Sequence, residues 1–180
     1  IRAKGRFATV TDYIYYDNNA RPAQTNGTTT IITPGIDFSI NFFSHFYLSG
    51  NVDYNLISGQ ETEAIPVPDV LANLNIYYHN LFFNDNLEVQ IGLDNHWKSD
   101  YYAPDYRVST HQFFTQNNFN VESYLISDVY LNIKLGHAYV FAKLNNWLSV
   151  FNGGEGYFVA PKYIGKRTLF DFGFYWMFYD

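Results

Sequence analysis

The sequence contains no cysteine, so neither a disulfide framework nor a thiolate metal site can form, and the redox compartment is left open. Charge is sparse as well: Asp, Glu, Lys and Arg make up 16% of residues, and the formal net charge is −6. Binding phosphates needs clustered Lys and Arg, whereas here acids outnumber bases, so nucleic-acid partners are set aside. No run of about 18 apolar residues occurs, which excludes a conventional transmembrane helix but leaves a transmembrane barrel untouched. No signal-peptide pattern opens the 180 residues, which start at Ile1 in strand-like sequence; either a signal has been removed or they belong to something longer.

What the chain has in quantity is aromatic residues, 21% of the total with 17 Tyr and 17 Phe. Their arrangement is clearest from Thr168 to Asp180, TLFDFGFYWMFYD. Read with the period of two that a strand imposes, Phe170, Phe172, Phe174, Trp176 and Phe178 share one face, while Asp171, Gly173 and Tyr175 share the other. Lipid is the simplest cover for an all-aromatic face on a strand that ends the chain. A soluble aromatic-rich sandwich or a lipocalin-like barrel is the competing reading of such alternation.

Taken in order, the chain predicts about eight strands. The first runs from Lys4 to Asp17, with Tyr13, Tyr15 and Tyr16 at its late end, and is followed by the loop-forming NNARPAQTNGTTT. A second, from about Thr30 to Phe42, sets Ile36, Phe38, Ile40 and Phe42 against Asp37, Ser39 and Asn41. In the third, Leu48, Gly50, Val52, Tyr54 and Leu56 oppose Ser49, Asn51, Asp53 and Asn55. After the loop SGQETEAIPVPD, the fourth opposes Val70, Ala72, Leu74, Ile76 and Tyr78 to Leu71, Asn73, Asn75 and Tyr77. It turns through FNDN, where Asn84 and Asp85 favour a tight turn, into a fifth strand with Glu88, Gln90, Gly92, Asp94 and His96 on its polar side. A long segment precedes the sixth strand, about Val121 to Lys134; a turn near Gly136 leads to the seventh, about Ala138 to Trp147. A loop carrying Gly153, Gly154 and Gly156 precedes the last.

The connections thus alternate long and short, as expected of an up-and-down barrel with short periplasmic turns and longer external loops. Aromatics are expected in two girdles, Tyr15, Tyr54, Trp97, Tyr124 and Trp147 at the outer rim and Phe42, Tyr78, Phe82, Trp176 and Phe178 at the inner one. The expected fold class is therefore all-β, a transmembrane antiparallel up-and-down β-barrel with about eight strands in this chain, residues 1–180 forming one barrel segment and no second domain. Eight strands can close alone, but a chain that opens directly in a strand at Ile1 suits the C-terminal part of a larger barrel better.

Several segments resemble a known family. The elements that carry the likeness are Tyr101, Tyr102, Ala103, Pro104 and Tyr106, then Phe113 and Gln116, then Tyr157, Pro161, Tyr163 and Arg167 ahead of the terminal aromatic strand. Together they are similar to the putative porin family of Bacteroidota-type outer membranes, with TVTDYIYYDNNARPAQ a weaker match. Where the family has a Tyr-Pro pair in the last loop, this chain has Tyr163-Ile164. The resemblance implies an outer-membrane β-barrel, no cofactor, and a longer protein of which these residues are the C-terminal part.

The residues expected to line a pore are Asp37, Asn41, Asn51, Asp53, Asn73, Asn75, Glu88, Gln90, Asp94, His96, Asp128, Asn132, Lys134, Lys143, Asn145 and Asp171, with Ser39 and Asn55 beside them. Acids exceed bases in this set, so an open pore would favour cations mildly; in a plugged or narrow interior the same groups would satisfy one another. Asp94 and His96, with Ser109 and His111 in the next loop, are the nearest approach to a catalytic set. A polar residue at every second position is what any wet strand face shows, so no enzyme activity is expected. The five histidines form no HExxH-type motif, and no metal site is expected. The loop YYAPDY reads as rim packing, with a sugar-stacking platform or an inward-folded constriction as alternatives, and Glu61 and Glu63 as solvated surface. The expected function is passive diffusion of small polar solutes across the cell outer membrane, with the lipid bilayer and those solutes as partners. The alternative is a barrel with a blocked lumen, serving other outer-membrane proteins in a transport or secretion complex.

Overall fold

The computed structural model describes residues 1–151 and 156–178. Gly153 and Gly154, expected in the last loop, and Asp180, expected to end the last strand, lie outside the described residues. Eight main strands follow one another through the chain: β1 (Arg2–Thr11), β2 (Thr28–Phe42), β3 (Phe46–Tyr54), β4 (Val70–Phe82), β5 (Leu87–Lys98), β6 (Tyr124–Leu135), β7 (Ala138–Asn145) and β8 (Leu169–Trp176). Each pairs antiparallel with the next, so the order in the sheet is the order in the sequence. Beyond Asn55, β3 resumes as Leu56–Gly59, which pairs with the start of β2.

Short turns join β2 to β3, β4 to β5 and β6 to β7 at one end of the sheet. They are made where the backbone turns left-handed: Phe43 and Ser44 (φ 50° and 62°), Phe83, Asn84 and Asp85 (φ 54°, 55° and 66°), and Gly136 (φ 56°). The long connections at the other end carry small hairpins, Ile14–Tyr16 with Pro22–Gln24, Asp105–Arg107 with Gln112–Phe114, and Phe158–Ala160 with Tyr163–Ile164. This is the long-short alternation read from the sequence.

Two expectations change. The first strand ends at Thr11, not Asp17, because Asp12 adopts φ 53° and breaks the extended backbone. Tyr15 and Tyr16 consequently belong to the first loop hairpin. Secondly, Tyr124 pairs with Lys98 and so lies on the polar side, whereas Trp97, on the next position, is on the apolar one. Among the described residues β1 and β8 do not pair with each other, and the sheet is open with these two as its edges, a segment and not a closed barrel.

Because paired residues share a face and successive residues alternate, the register defines the two sides. One carries the rows Ile36–Val52–Ala72–Trp97–Leu125 and, further along, Leu131–Ala142–Phe172. Nothing covers it. Phe170, Phe172 and Phe174 are 63%, 65% and 59% exposed, and among the described residues the buried hydrophobic ones are Ala64, Ala103, Val121 and Ala138, which belong mostly to the loops. The molecule exposes 11870 Å², where a compact globular monomer of 21.0 kDa would expose about 9,000 Å². A single uncovered layer of this kind has little apolar burial to hold it in water, since burial is the main favourable contribution to folding.

Candidate functional site: a polar face under a loop cap

Every residue expected to line a pore, from Asp37 through Asp171, lies on the face opposite the aromatic ladder. The registers place Asp37, Asn51, Asn73 and His96 in one row, Ser39, Ser49, Asn75, Asp94 and Asp128 in the next, and Tyr130, Lys143 and Asp171 in a third. Asn55 sits at the break in β3, where its amide donates to the Pro68 carbonyl and its oxygen accepts from Thr33.

The sequence reading left out three members of this face, Arg2, Lys4 and Arg6 on β1. Arg2 pairs with Asp37 at 2.6 Å, the Lys4 ammonium lies 2.7 Å from Asp37 and 3.0 Å from Asp53, and Arg6 reaches Asp53 at 3.8 Å. Their period-two spacing is the available signal, and a first strand bounded by Lys4 and Asp17 obscures it, because it leaves out Arg2 and runs through the turn at Asp12. Lys98 belongs to the face too. With these four, Lys134 and Lys143, cations match the carboxylates Asp37, Asp53, Glu88, Asp94, Asp128 and Asp171 one for one, and the excess of acid that suggested a cation preference disappears.

A directed chain of hydrogen bonds crosses the sheet from this ionic cluster. Asp53 is acceptor only, so the Asn51 amide nitrogen donates to it at 3.1 Å; the Asn51 oxygen then accepts from the Asn73 amide at 3.2 Å, which turns the Asn73 oxygen toward His96 Nδ1 at 2.6 Å. His96 Nδ1 must therefore be the donor, and its Nε2 faces Asp94 Oδ2 at 3.3 Å. Farther along, Lys143 pairs with Asp128 at 2.7 Å and Asn145 donates to Asp171 at 2.7 Å. Near the short turns His79 Nε2 meets Glu88 at 2.9 Å.

Tyr130 lies flat across β5 because its partner there is Gly92. Its hydroxyl reaches Asn75 Oδ1 at 3.0 Å, and a Cβ on Gly92 would collide with that hydroxyl, with Tyr77 and with the Ile76 carbonyl. Aromatic rings cover partner glycines at Phe38 over Gly50 and Phe141 over Gly173 as well. These pairings fill the gap a glycine leaves in a sheet.

The long connections pack on one another above the face. Gln116, buried, holds the third of them together: its amide donates to the carbonyls of Ala103 (2.7 Å) and Phe119 (2.8 Å), and its oxygen accepts from the backbone N–H groups of Asn118 (2.9 Å) and Phe119 (2.8 Å). Thr115 ties this loop to the first through the Tyr16 carbonyl, which accepts from the Thr115 backbone N–H at 2.9 Å and from its hydroxyl at 3.1 Å. Lys162 ties the last loop to it through Asp105 at 2.8 Å, and Tyr157 stacks on Tyr124 with ring centres 4.5 Å apart. Burial raises the Tyr101 and Tyr157 phenols above their ordinary value. Glu61, read as solvated, accepts from the Tyr15 hydroxyl at 3.5 Å; the Tyr15 phenol is raised by burial first and by Glu61 second.

Gln116→Ala is expected to leave two N–H and two carbonyl groups of the loop without their partner, at a cost of about 3 kcal/mol. The loss should be confined to residues 99–123. Hydrogen exchange would show it as protection lost there and kept in the strands; uniform loss would mean that the glutamine supports the whole sheet.

Ser109 and His111, the candidate nucleophile and base, are exposed at the tip of the Asp105–Phe114 hairpin. Among the described residues no hydrogen bond or ion pair links them to Asp94 or His96, and no group of three or more metal-binding side chains is present.

An antiparallel up-and-down sheet with one polar face, one uncovered apolar face, tight turns at one end and long loops at the other is a porin-like β fold. A family model described as putative porin matches residues 1–180, the whole chain, and the protein belongs to that family. The motif residues of the resemblance prove to be builders of the loop cap: Ala103, Gln116 and Pro161 are buried in it, and Tyr106 packs edge-on to Tyr163. No curated protein and no solved structure matches the chain.

Proposed function

We propose that the sheet is part of the wall of an outer-membrane β-barrel that lets small polar solutes through by passive diffusion. The observation that carries this reading is the uncovered aromatic face set against a continuous polar one: a single-layer sheet needs an apolar medium on one side and water on the other, and a bilayer-embedded barrel supplies both. Main-chain groups of the inner strands β2 to β7 are paired strand to strand, as a membrane core requires, and the outer edges of β1 and β8 are where further strands of the wall would join. The polar face then lines the lumen, where its side chains set ion preference.

Full-length protein reconstituted in a planar bilayer should give discrete channel steps. Since cations and carboxylates on the face are matched, the permeabilities of potassium and chloride should be nearly equal. A strong preference for either would mean that residues elsewhere set the selectivity. Silence in the bilayer would favour the second reading, a barrel with a blocked lumen that works as a structural partner in an outer-membrane complex. The specific support for that reading is the cross-tied loop cap, in which Lys98 sits 4.7 Å from the Tyr101 ring centre and Lys162 clasps Asp105.

A further inference from the structure

The long loops enclose a cleft of about 440 Å³ between the second and third connections. It lies above the polar face. Leu71 pairs with Lys98, and the next residues outward are joined by Ser99 N–H to the Val70 carbonyl at 2.9 Å and by Val70 N–H to Ser99 Oγ at 3.1 Å. Asp69 and Asp100 therefore stand beside each other at the outer ends of β4 and β5, on the side of Lys98, and both line the cleft.

The lining has two characters. Tyr102, 47% exposed, and the aliphatic Pro66, Ile65 and Val67 give apolar surface, while Asp69, Asp100 and Asn120 give hydrogen-bonding groups. Asp100 already accepts from the Asn120 amide at 2.8 Å, which orients both groups. Thr115 and Gln116, on the wall, are buried and engaged with the backbone, so this side of the cleft is formed before any ligand arrives.

These features discriminate among ligand classes. An anion would meet Glu63, Asp69 and Asp100 with no Lys, Arg or His in the lining. A purely apolar molecule would bury the carboxylates unpaired, which is costly. A hydrated cation would make nothing of the tyrosine and the aliphatic wall. A neutral sugar matches both halves: its hydroxyls donate to carboxylates and amide oxygens, and the C–H face of its ring lies on an aromatic side chain. The volume falls in the range of small-ligand clefts.

We propose that this cleft binds a neutral oligosaccharide at the mouth of the polar face, with Tyr102 as the stacking platform and Asp69 and Asp100 as the hydroxyl acceptors. Its placement at a channel mouth rests on the porin reading, but binding itself does not, and the test measures binding without flux. Full-length protein folded in detergent micelles is titrated calorimetrically with maltotriose, cellotriose and tri-N-acetylchitotriose, and with a sulfated disaccharide, calcium chloride and spermidine as contrasts. At least one neutral trisaccharide should bind saturably in the millimolar range. Tyr102→Ala and Asp69→Asn/Asp100→Asn should each weaken it about tenfold with the circular dichroism spectrum unchanged. Absence of saturable binding by all three trisaccharides, equal binding by the variants, or preference for sulfated sugar, calcium or spermidine would overturn the proposal. A protein that conducts without binding sugar would lose this site and keep the porin reading; one that binds sugar without conducting would do the reverse.

Discussion

Phe172→Arg is expected to lower folding stability in lipid vesicles by about 2–4 kcal/mol, the cost of a cation at mid-depth on a lipid-facing strand. Asn132→Arg should change it by no more than about 0.5 kcal/mol, as for an exposed polar site. The two positions lie at nearly the same level of the sheet, beside Phe141 and Ala142 of β7, and both variants add the same charge. Phe172 pairs with Ala142 on the aromatic face, whereas Asn132 pairs with Gln90 on the polar one. On the porin reading, what separates them is the medium that each side meets. Equal effects in the two variants would show that the faces are not in contact with different media, and the porin proposal would lose its physical basis. Urea titration of vesicle-folded protein, followed by tryptophan emission, is the measurement.

Gly92→Val is the second large effect, a destabilisation of about 3 kcal/mol. The added side chain needs the space occupied by the Tyr130 hydroxyl and meets the Ile76 carbonyl, which cannot move without breaking the β4–β5 ladder. Tyr130 would be lifted off Asn75, and the cross-strand hydrogen bond at 3.0 Å would go with it. Gly5→Val supplies the control, because a Cβ there meets nothing within 4 Å. It should cost nothing measurable. If both glycines tolerate valine equally in urea titrations of detergent-folded protein, the packing of Tyr130 against β5 is not what stabilises this part of the sheet.

These two outcomes depend on information of different kinds. That Phe172 and Asn132 take opposite sides follows from counting along each strand, and the aromatic ladder of β8 and the polar residues of β2 to β7 were sorted correctly in that way. That Gly92 lies under Tyr130 could not be counted out, since these residues are 38 positions apart in the numbering and meet only through the β5–β6 register. The cationic side of the polar face was missed for a similar reason. Arg2, Lys4 and Arg6 have the right spacing, but their assignment needed to know that β1 stops at Thr11 and lies beside Asp37 and Asp53. Tyr124 looked like an outer-rim aromatic on position alone. Its pairing with Lys98 and its stacking on Tyr157 put it on the polar side.

The loop cap marks the sharpest contrast. Gln116 was visible as part of a resemblance, with no physical role attached; four hydrogen bonds to backbone give it one. Asn146 carried no signal at all, yet it is buried in a left-handed turn (φ 47°) and fastens β7 to the last loop through the Lys166 carbonyl at 3.2 Å.

By itself, then, the order of residues determined strands β2 to β8, the alternation of sides along them and the alternation of short and long connections, because pleating and turn formation are settled within a few neighbours. Only the tertiary structure decided which charges neutralise one another, which rings lie on which glycines, how the loops enclose a cleft and that the sheet stays open between β1 and β8. Those outcomes depend on register between strands and on contacts between distant loops, and a one-dimensional pattern does not contain the distances that select them.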